Sequence, residues 1–207
     1  MKNRYRVKKG ARLHLREHDA GDTGDYRNEE PAVERTERLR QKLDPLQERL
    51  YAEGTRALLI VLQGIDTSGK DGTIRHVMSG VNPAGCVVTS FKAPTPSEKA
   101  HDFLWRIHRA CPANGYIGIF NRSHYEDVLI TRVHGWITGK TAQHRMQQIR
   151  EFEESLTGNG TRILKFFLHI SKKEQEKRLL ARIENPDKHW KFSANDLKER
   201  GYWKAYR

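Results

Sequence analysis

The sequence predicts an α/β fold, a mainly parallel sheet with helices on both faces. Two observations carry this prediction. Short apolar runs of strand composition alternate with helix-periodic segments at the spacing of βα units. The first of these runs leads through a glycine-rich turn straight into a helix start, the local arrangement that cradles an anion.

That stretch is Ala57-Leu-Leu-Ile-Val-Leu-Gln-Gly64-Ile-Asp66-Thr67-Ser68-Gly69-Lys70-Asp71-Gly72. Leu58 to Leu62 have the length and composition of a strand buried on both faces. Thr73-Ile-Arg-His-Val-Met78 opens a helix. Backbone N–H groups of such a turn converge on an anion, the helix N-terminus adds positive potential, and Lys70 supplies a point charge. Gly64-x-x-x-x-Gly69-Lys70 matches a Walker A loop, so Gly64, Thr67, Ser68, Gly69, Lys70, Asp71 and Gly72 are candidate phosphate-binding residues. The domain is therefore P-loop kinase-like, a three-layer α/β/α arrangement. One position departs from the motif. Asp71 stands where a Ser or Thr hydroxyl normally holds Mg²⁺, and Asp66 puts a second carboxylate inside the loop. Carboxylates beside phosphate are tolerable when a metal ion lies between them. Asp66, and with less support Asp71, are read as part of a Mg²⁺ site.

Residues 1–27 read as a basic, poorly ordered arm, either a solvated tail or a strap that adds charge to an anion groove. Residues 29–53 read as a helix, with Val33, Leu39, Leu43, Leu46 and Leu50 on one face and a break or kink expected near Asp44 because Pro45 lies inside. After the loop helix, which runs to about Ser79, Cys86–Phe91 is a second strand by β-branched content. Lys92–Glu98 is a proline-stiffened loop. Ser97 is the expected cap of a helix from Glu98 to Ala110 that carries Arg106 and Arg109. These two are candidate phosphate ligands, with a solvated basic face of equal weight. Tyr116–Phe120 is a third strand and stops at Asn121-Arg122-Ser123-His124-Tyr125-Glu126-Asp127. Open α/β sheets place ligands at the carboxyl ends of their strands. Arg122 is well placed there for phosphate, Asn121 occupies the Walker B position, and the acids fall at Glu126 and Asp127. Residues 141–156 form a helix, Arg162–Ile170 a fourth strand. Ser171-x-x-Glu174 is a capping box that opens a helix closed by Asn185-Pro186. Arg178 and Arg182 share one face of it. They resemble a lid, at about 171–195, although on spacing alone a solvated basic helix accounts for them better. A last helix starts near Ala194.

The net charge of +12 and pI of about 9.8 favour a polyanionic partner. At 36% apolar and 31% charged residues the chain is not compositionally disordered, and 207 residues suit one domain. No run approaches the ~20 apolar residues of a membrane span, and the basic N-terminus lacks a signal's apolar segment. Cys86 and Cys111 read as reduced and buried. The histidines show no zinc-type spacing, and no RNP-type motif, zinc finger or basic zipper points to nucleic acid.

Gln63–Gly72, Ser90-Phe-Lys-Ala-Pro-Thr-Pro, His101-Asp-Phe-Leu-Trp-Arg-Ile-His108, Ile119-Phe-Asn-Arg-Ser-His-Tyr-Glu-Asp-Val-Leu129 and Trp190-Lys-Phe-Ser together resemble the polyphosphate kinase 2 family, from about Arg4 onward. The Asn-Arg-Ser-His-Tyr-Glu-Asp form is similar to the branch that phosphorylates both AMP and ADP. The resemblance implies a thymidylate kinase-like fold and Mg²⁺-dependent transfer of the terminal phosphoryl group of inorganic polyphosphate to AMP or ADP. It further implies a dimer or tetramer and a cytoplasmic enzyme. It implies catalytic roles for Asp66, Lys70, Arg122, Asp127, Arg178 and Arg182, with Asp66 and Asp127 toward the metal, and nucleotide contacts from Arg106, Asn121 and Glu126. Family members are expected to continue past the equivalent of Arg207 with a further helix and strand, so the expected sheet lacks that edge. Two other readings stand beside this one: an ATP-dependent nucleoside monophosphate kinase, which Asp71 and Asn121 disfavour, and a non-catalytic polyanion binder.

Overall fold

The computed structural model describes residues 4–8, 10–191 and 193–206. Four strands form one sheet: β1 Ala57–Gln63, β2 Cys86–Ser90, β3 Ile117–Asn121 and β4 Thr161–Phe167. Their order is β2-β3-β1-β4, and every pairing is parallel. Leu62 and Ser90 both pair with Asn121, so three strands end level at one edge of the sheet. The ligand-bearing end of a doubly covered parallel sheet is thereby defined.

Period-two alternation along the strands builds two cores. Leu59, Val61 and Phe120 pack with Phe91 and Ile107 on one face, with Phe152 and Leu156 against them. Leu62, Ile117 and Ile119 pack on the other, with Leu50, Ile74 and Met78. Helices α1 (Glu29–Glu53) and α2 (Lys70–Val77) therefore cover one face. Helices α4 (Trp105–Ala110) and α6 (Gly139–Gly158) cover the other, which gives the three layers expected. Truncating a side chain as buried as Leu59 to alanine costs about 2–5 kcal/mol. No helix among the described residues is long and apolar enough to cross a membrane.

Several expectations are corrected. Helix α1 runs through Pro45 unbroken. Tertiary contacts on one of its faces hold it on both sides of the proline. Arg40 donates to the Ser79 carbonyl, Asp44 accepts from the Asn82 N–H, and the Gln47 side chain packs where a side chain on Gly85 would stand. The single helix expected at 98–110 is two. Helix α3 (Pro96–Lys99) is capped by Thr95 in a reciprocal box with Glu98, not by Ser97. The Asp102 carboxylate then accepts from the Leu104 N–H, a local bond that competes with helix continuation before α4 begins. Helix α5 (Glu126–Val133) was not expected, although Val128, Leu129, Ile130 and Val133 were available as a signal. The Ser171 hydroxyl caps α7 (Lys172–Glu184) by accepting from the Glu174 N–H, but the Glu174 carboxylate turns to Arg178. Helix α8 spans Ala194–Gly201. Cys86 and Cys111 are free thiols and only half-buried. Burial raises both thiol pKa values, that of Cys111 to about 11.

In the arm, Arg4 pairs with Asp22 at 3.7 Å, and the His18 carbonyl lies 3.2 Å from His169 Nε2 beyond the end of β4. Met1, Lys2, Asn3 and Lys9 of the arm, Phe192 of the Trp190–Ser193 motif, and Arg207 lie outside the described residues.

Candidate active site

Strand β1 delivers the loop to the level edge of the sheet. At Gly64 a Cβ would stand 2.6 Å from Ser68 Oγ and 2.8 Å from the Leu168 carbonyl, so only glycine allows the turn to close. Gly69 adopts φ +96° and leads into α2. Thr67 is a β-branched residue at φ +63°, a conformation that costs about 1–3 kcal/mol and concentrates at functional sites. Its hydroxyl is buried with no hydrogen-bond partner among the described residues, which leaves it available to a ligand oxygen. Gly72 faces open space, and nothing steric requires glycine there.

Lys70, only 7% exposed, turns its ammonium into this loop. Nζ donates to the Gly64 carbonyl at 2.7 Å, to the Ile65 carbonyl at 3.1 Å and to Ser68 Oγ at 3.3 Å. Burial, and after it the Arg122 charge, pull its pKa down to about 8. A buried ammonium whose partners are mostly neutral carbonyls is a site short of negative charge.

Arg122 follows β3 at φ +65°, with its N–H on the Leu62 carbonyl. Its guanidinium lies 3.5 Å from Asp66 Oδ1 and 3.9 Å from Glu126 Oε1. From α7, Arg182 Nη1 lies 3.3 Å from Asp66 Oδ2 and the same distance from Asp196 Oδ2 of α8. Arg178 donates to the Thr67 carbonyl at 3.0 Å and to Glu174 at 2.7 Å. Lys70, Arg122, Arg178 and Arg182 thus gather around one loop. A solvated basic helix is not their situation, because both α7 arginines reach back to the loop. Glu126 is raised above the usual carboxylate range by burial, against the opposing pull of Arg122 and Lys70.

The Asp71 carboxylate accepts from Asn121 Nδ2 at 2.6 Å, and the same amide reaches Ser90 Oγ at 3.3 Å. In P-loop NTPases the helix start carries a hydroxyl and the strand end a carboxylate, and both serve Mg²⁺. Here the carboxylate stands on the helix and a neutral amide on the strand.

Arg106 and Asp127 pair with each other. Arg106, 8% exposed at its side chain, donates to the Lys92 carbonyl at 2.8 Å and to Asp127 at 3.2 Å. It is a strut between the 92–98 loop and α5. Asp66 and Asp127 therefore face different guanidiniums, and no group of three His, Cys, Asp or Glu side chains assembles among the described residues. Mg²⁺ typically takes one or two carboxylates and completes its shell with phosphates and water. Asp66 and Asp71 are the two carboxylates of the loop that could offer such oxygens. Sequence reasoning missed Ser90, Gln175, whose amide donates to the Asp66 carbonyl at 3.3 Å, and Asp196. Each is an ordinary strand-end or helix residue until the fold brings it to the loop.

Residues 26–207 match the family model described as polyphosphate kinase 2. The chain belongs to the polyphosphate kinase 2 family. It is 50% identical over 204 residues to the AMP/ADP-polyphosphate phosphotransferase of Meiothermus ruber, covering 98% of this chain and 76% of that protein. It is 54% identical over 178 residues to the ADP-polyphosphate phosphotransferase of Rhodopseudomonas palustris, covering 80% of this chain and 62% of that one. Among solved structures, polyphosphate kinase 2 from Arthrobacter aurescens TC1 superposes with a TM-score of 0.91 at 46% identity, covering 97% of this chain and 72% of that chain. The chain thus spans between three-fifths and about three-quarters of the length of these family members.

Proposed function

We propose that the chain is a polyphosphate kinase that moves the terminal phosphoryl group of inorganic polyphosphate onto AMP or ADP, and back. The observation that carries this reading is the convergence of Lys70, Arg122, Arg178 and Arg182 on a glycine loop at the level end of a parallel sheet, in a member of this family. Phosphoryl transfer asks for positioning and charge stabilisation more than covalent chemistry from the protein. An oxygen of the nucleotide's terminal phosphate attacks the end phosphorus of the polymer. The new P–O bond forms as the bridging P–O bond breaks, and the polymer leaves one phosphate shorter. Loop N–H groups and Lys70 hold the transferring phosphate. Arg122, Arg178 and Arg182 exchange their contacts with Asp66, Glu174 and the Thr67 carbonyl for phosphate oxygens and neutralise charge in the transition state. Asp66 and Asp71 would hold Mg²⁺, which when bound offsets phosphate charge. Asn121 and Glu126 lie beside them to meet the nucleotide, and Arg106 acts on it indirectly by holding Asp127. The +12 charge serves a track for the polyanion. The same reading makes it a cytoplasmic dimer or tetramer.

The test is nucleotide formation from long-chain polyphosphate and Mg²⁺ with AMP and then ADP as acceptor. Product from both, lost in Lys70→Ala, is expected. Turnover with ATP as donor and none with polyphosphate would overturn the reading.

A further inference from the structure

We infer that Glu153 is a positioning residue for phosphoryl transfer: through His124 and Tyr125 it holds the turn that sets Arg122 among the reacting groups. The inference rests on the polyphosphate kinase reading above. Arg122 is the only bulky charged residue among the described non-glycines at positive φ, and such a backbone persists only where its surroundings over-determine it. The next three residues supply the restraint. Ser123 is fully buried and accepts from Gln63 Nε2 at 3.0 Å, which ties it to the end of β1. His124, 1% exposed, places Nε2 3.2 Å from Glu153 Oε1. The Tyr125 hydroxyl donates to the same oxygen at 2.8 Å. Glu153 Oε2 takes Lys165 Nζ of β4 at 2.6 Å, and Lys165 also reaches the Tyr125 hydroxyl at 2.9 Å.

One carboxylate on α6 thus gathers an imidazole, a phenol and an ammonium from two other parts of the chain. Burial pushes the Glu153 carboxyl up, but its bonds from His124 and Lys165, the Lys165 charge and the Tyr125 bond outweigh that and bring its pKa down to about 2. It is therefore an acceptor at every working pH, and its partners are bound as donors. Ionic groups drawn together in this way are a costlier filling than apolar side chains, and their best-attested use is to specify one arrangement over its neighbours. The arrangement specified lies between Arg122 and Glu126, both of which face the loop site. None of the four side chains of this network reaches the loop itself in the contacts described, so the effect on chemistry passes through Arg122.

The variants are Glu153→Gln, which keeps the shape and removes the charge, and Tyr125→Phe, which keeps the ring and removes one bond. Two readouts are taken on each. The first is kcat and KM for polyphosphate in the wild-type and Arg122→Lys backgrounds. The second is the Arg122 Nε–H resonance in ¹⁵N-arginine-labelled protein, assigned by its loss in Arg122→Lys. Glu153→Gln should lower kcat about tenfold, within the ~10²-fold that a 1 Å misplacement can cost, with KM changed less than about twofold. The loss should shrink several-fold in the Arg122→Lys background, as coupled residues require. Both variants should shift or broaden the Arg122 resonance. An equal kcat loss in both backgrounds, or an unmoved Arg122 resonance in folded Tyr125→Phe, would overturn the inference. Tyr125→Phe decides alone should Glu153→Gln fail to fold. Absence of turnover in the wild-type protein would count against the kinase reading instead, and the resonance would still decide the role of Glu153.

Discussion

Replacing Lys70 with methionine should make the protein more stable at neutral pH while it abolishes turnover. The ammonium is buried against the Gly64 and Ile65 carbonyls, and its pKa falls from 10.5 to about 8. A shift of that size corresponds to a penalty of about 3 kcal/mol for keeping the proton in the folded state. Methionine removes the penalty but leaves the Gly64 and Ile65 carbonyls without their donor, a loss of about 1 kcal/mol each, while the Ser68 hydroxyl, its third and longest contact, is free to rotate and donate. The net gain near pH 7 is about 1 kcal/mol. The pH dependence follows from the sign of the shift. Below the folded pKa both states hold the proton, and the native state carries the whole penalty. As pH rises from about 8 toward 10.5 the native state releases its proton first, and the wild-type protein recovers stability. The difference between variant and wild type should therefore swing by about 2 kcal/mol in favour of wild type between about pH 7 and pH 9.5. Urea unfolding followed by circular dichroism at the two pH values measures it. A Lys70→Met variant that is less stable at neutral pH, with a difference that stays flat as pH rises, would refute the account of Lys70 as a strained, charge-starved cation. On the proposed reading, a phosphate of the polymer would relieve the same strain by pairing with the ammonium.

Gly64→Ala forces a methyl group onto Ser68 Oγ and the Leu168 carbonyl, and should cost about 2 kcal/mol, a melting-temperature drop of roughly 4–8 °C by calorimetry, together with most of the activity. Asp71→Asn and Asn121→Asp should each lower kcat/KM, whereas the double exchange restores a carboxylate–amide pair. A coupling of at least about 1 kcal/mol in that cycle is expected, and strict additivity would show that the 2.6 Å bond has no part in the site. Arg182→Ala should reduce kcat by about 10²-fold if the guanidinium meets developing charge, and a change confined to KM would restrict it to uniform binding. The KM for polyphosphate should rise steeply with salt in steady-state assays, as expected for a polyanion held by several cations.

Local rules determined much of this protein. Apolar runs of strand length, a glycine turn with its lysine, and a helix start are readable without any tertiary contact, because they depend on backbone sterics and short-range periodicity. They placed the parallel sheet, the loop at Gly64–Gly72 and the cluster after Asn121, and the joint motifs placed the family. Long-range contacts decided the rest. Pro45 is tolerated because Arg40, Asp44 and Gln47 fasten α1 to the 79–85 turn, contacts separated by some forty positions in sequence. Arg178 and Arg182 reach the glycine loop, and Arg106 is a strut, for reasons their helical spacing cannot hold: α7 folds back over the loop, while Arg106 bonds to Lys92 and Asp127. The depressed pKa of Lys70 and the ion network around Glu153 likewise exist only once burial removes water from groups that are far apart along the chain. Sequence alone sets which residues can carry charge and where the backbone can turn; only the folded chain sets which charges meet, because electrostatic energy depends on distance and desolvation, and both are properties of the packed molecule.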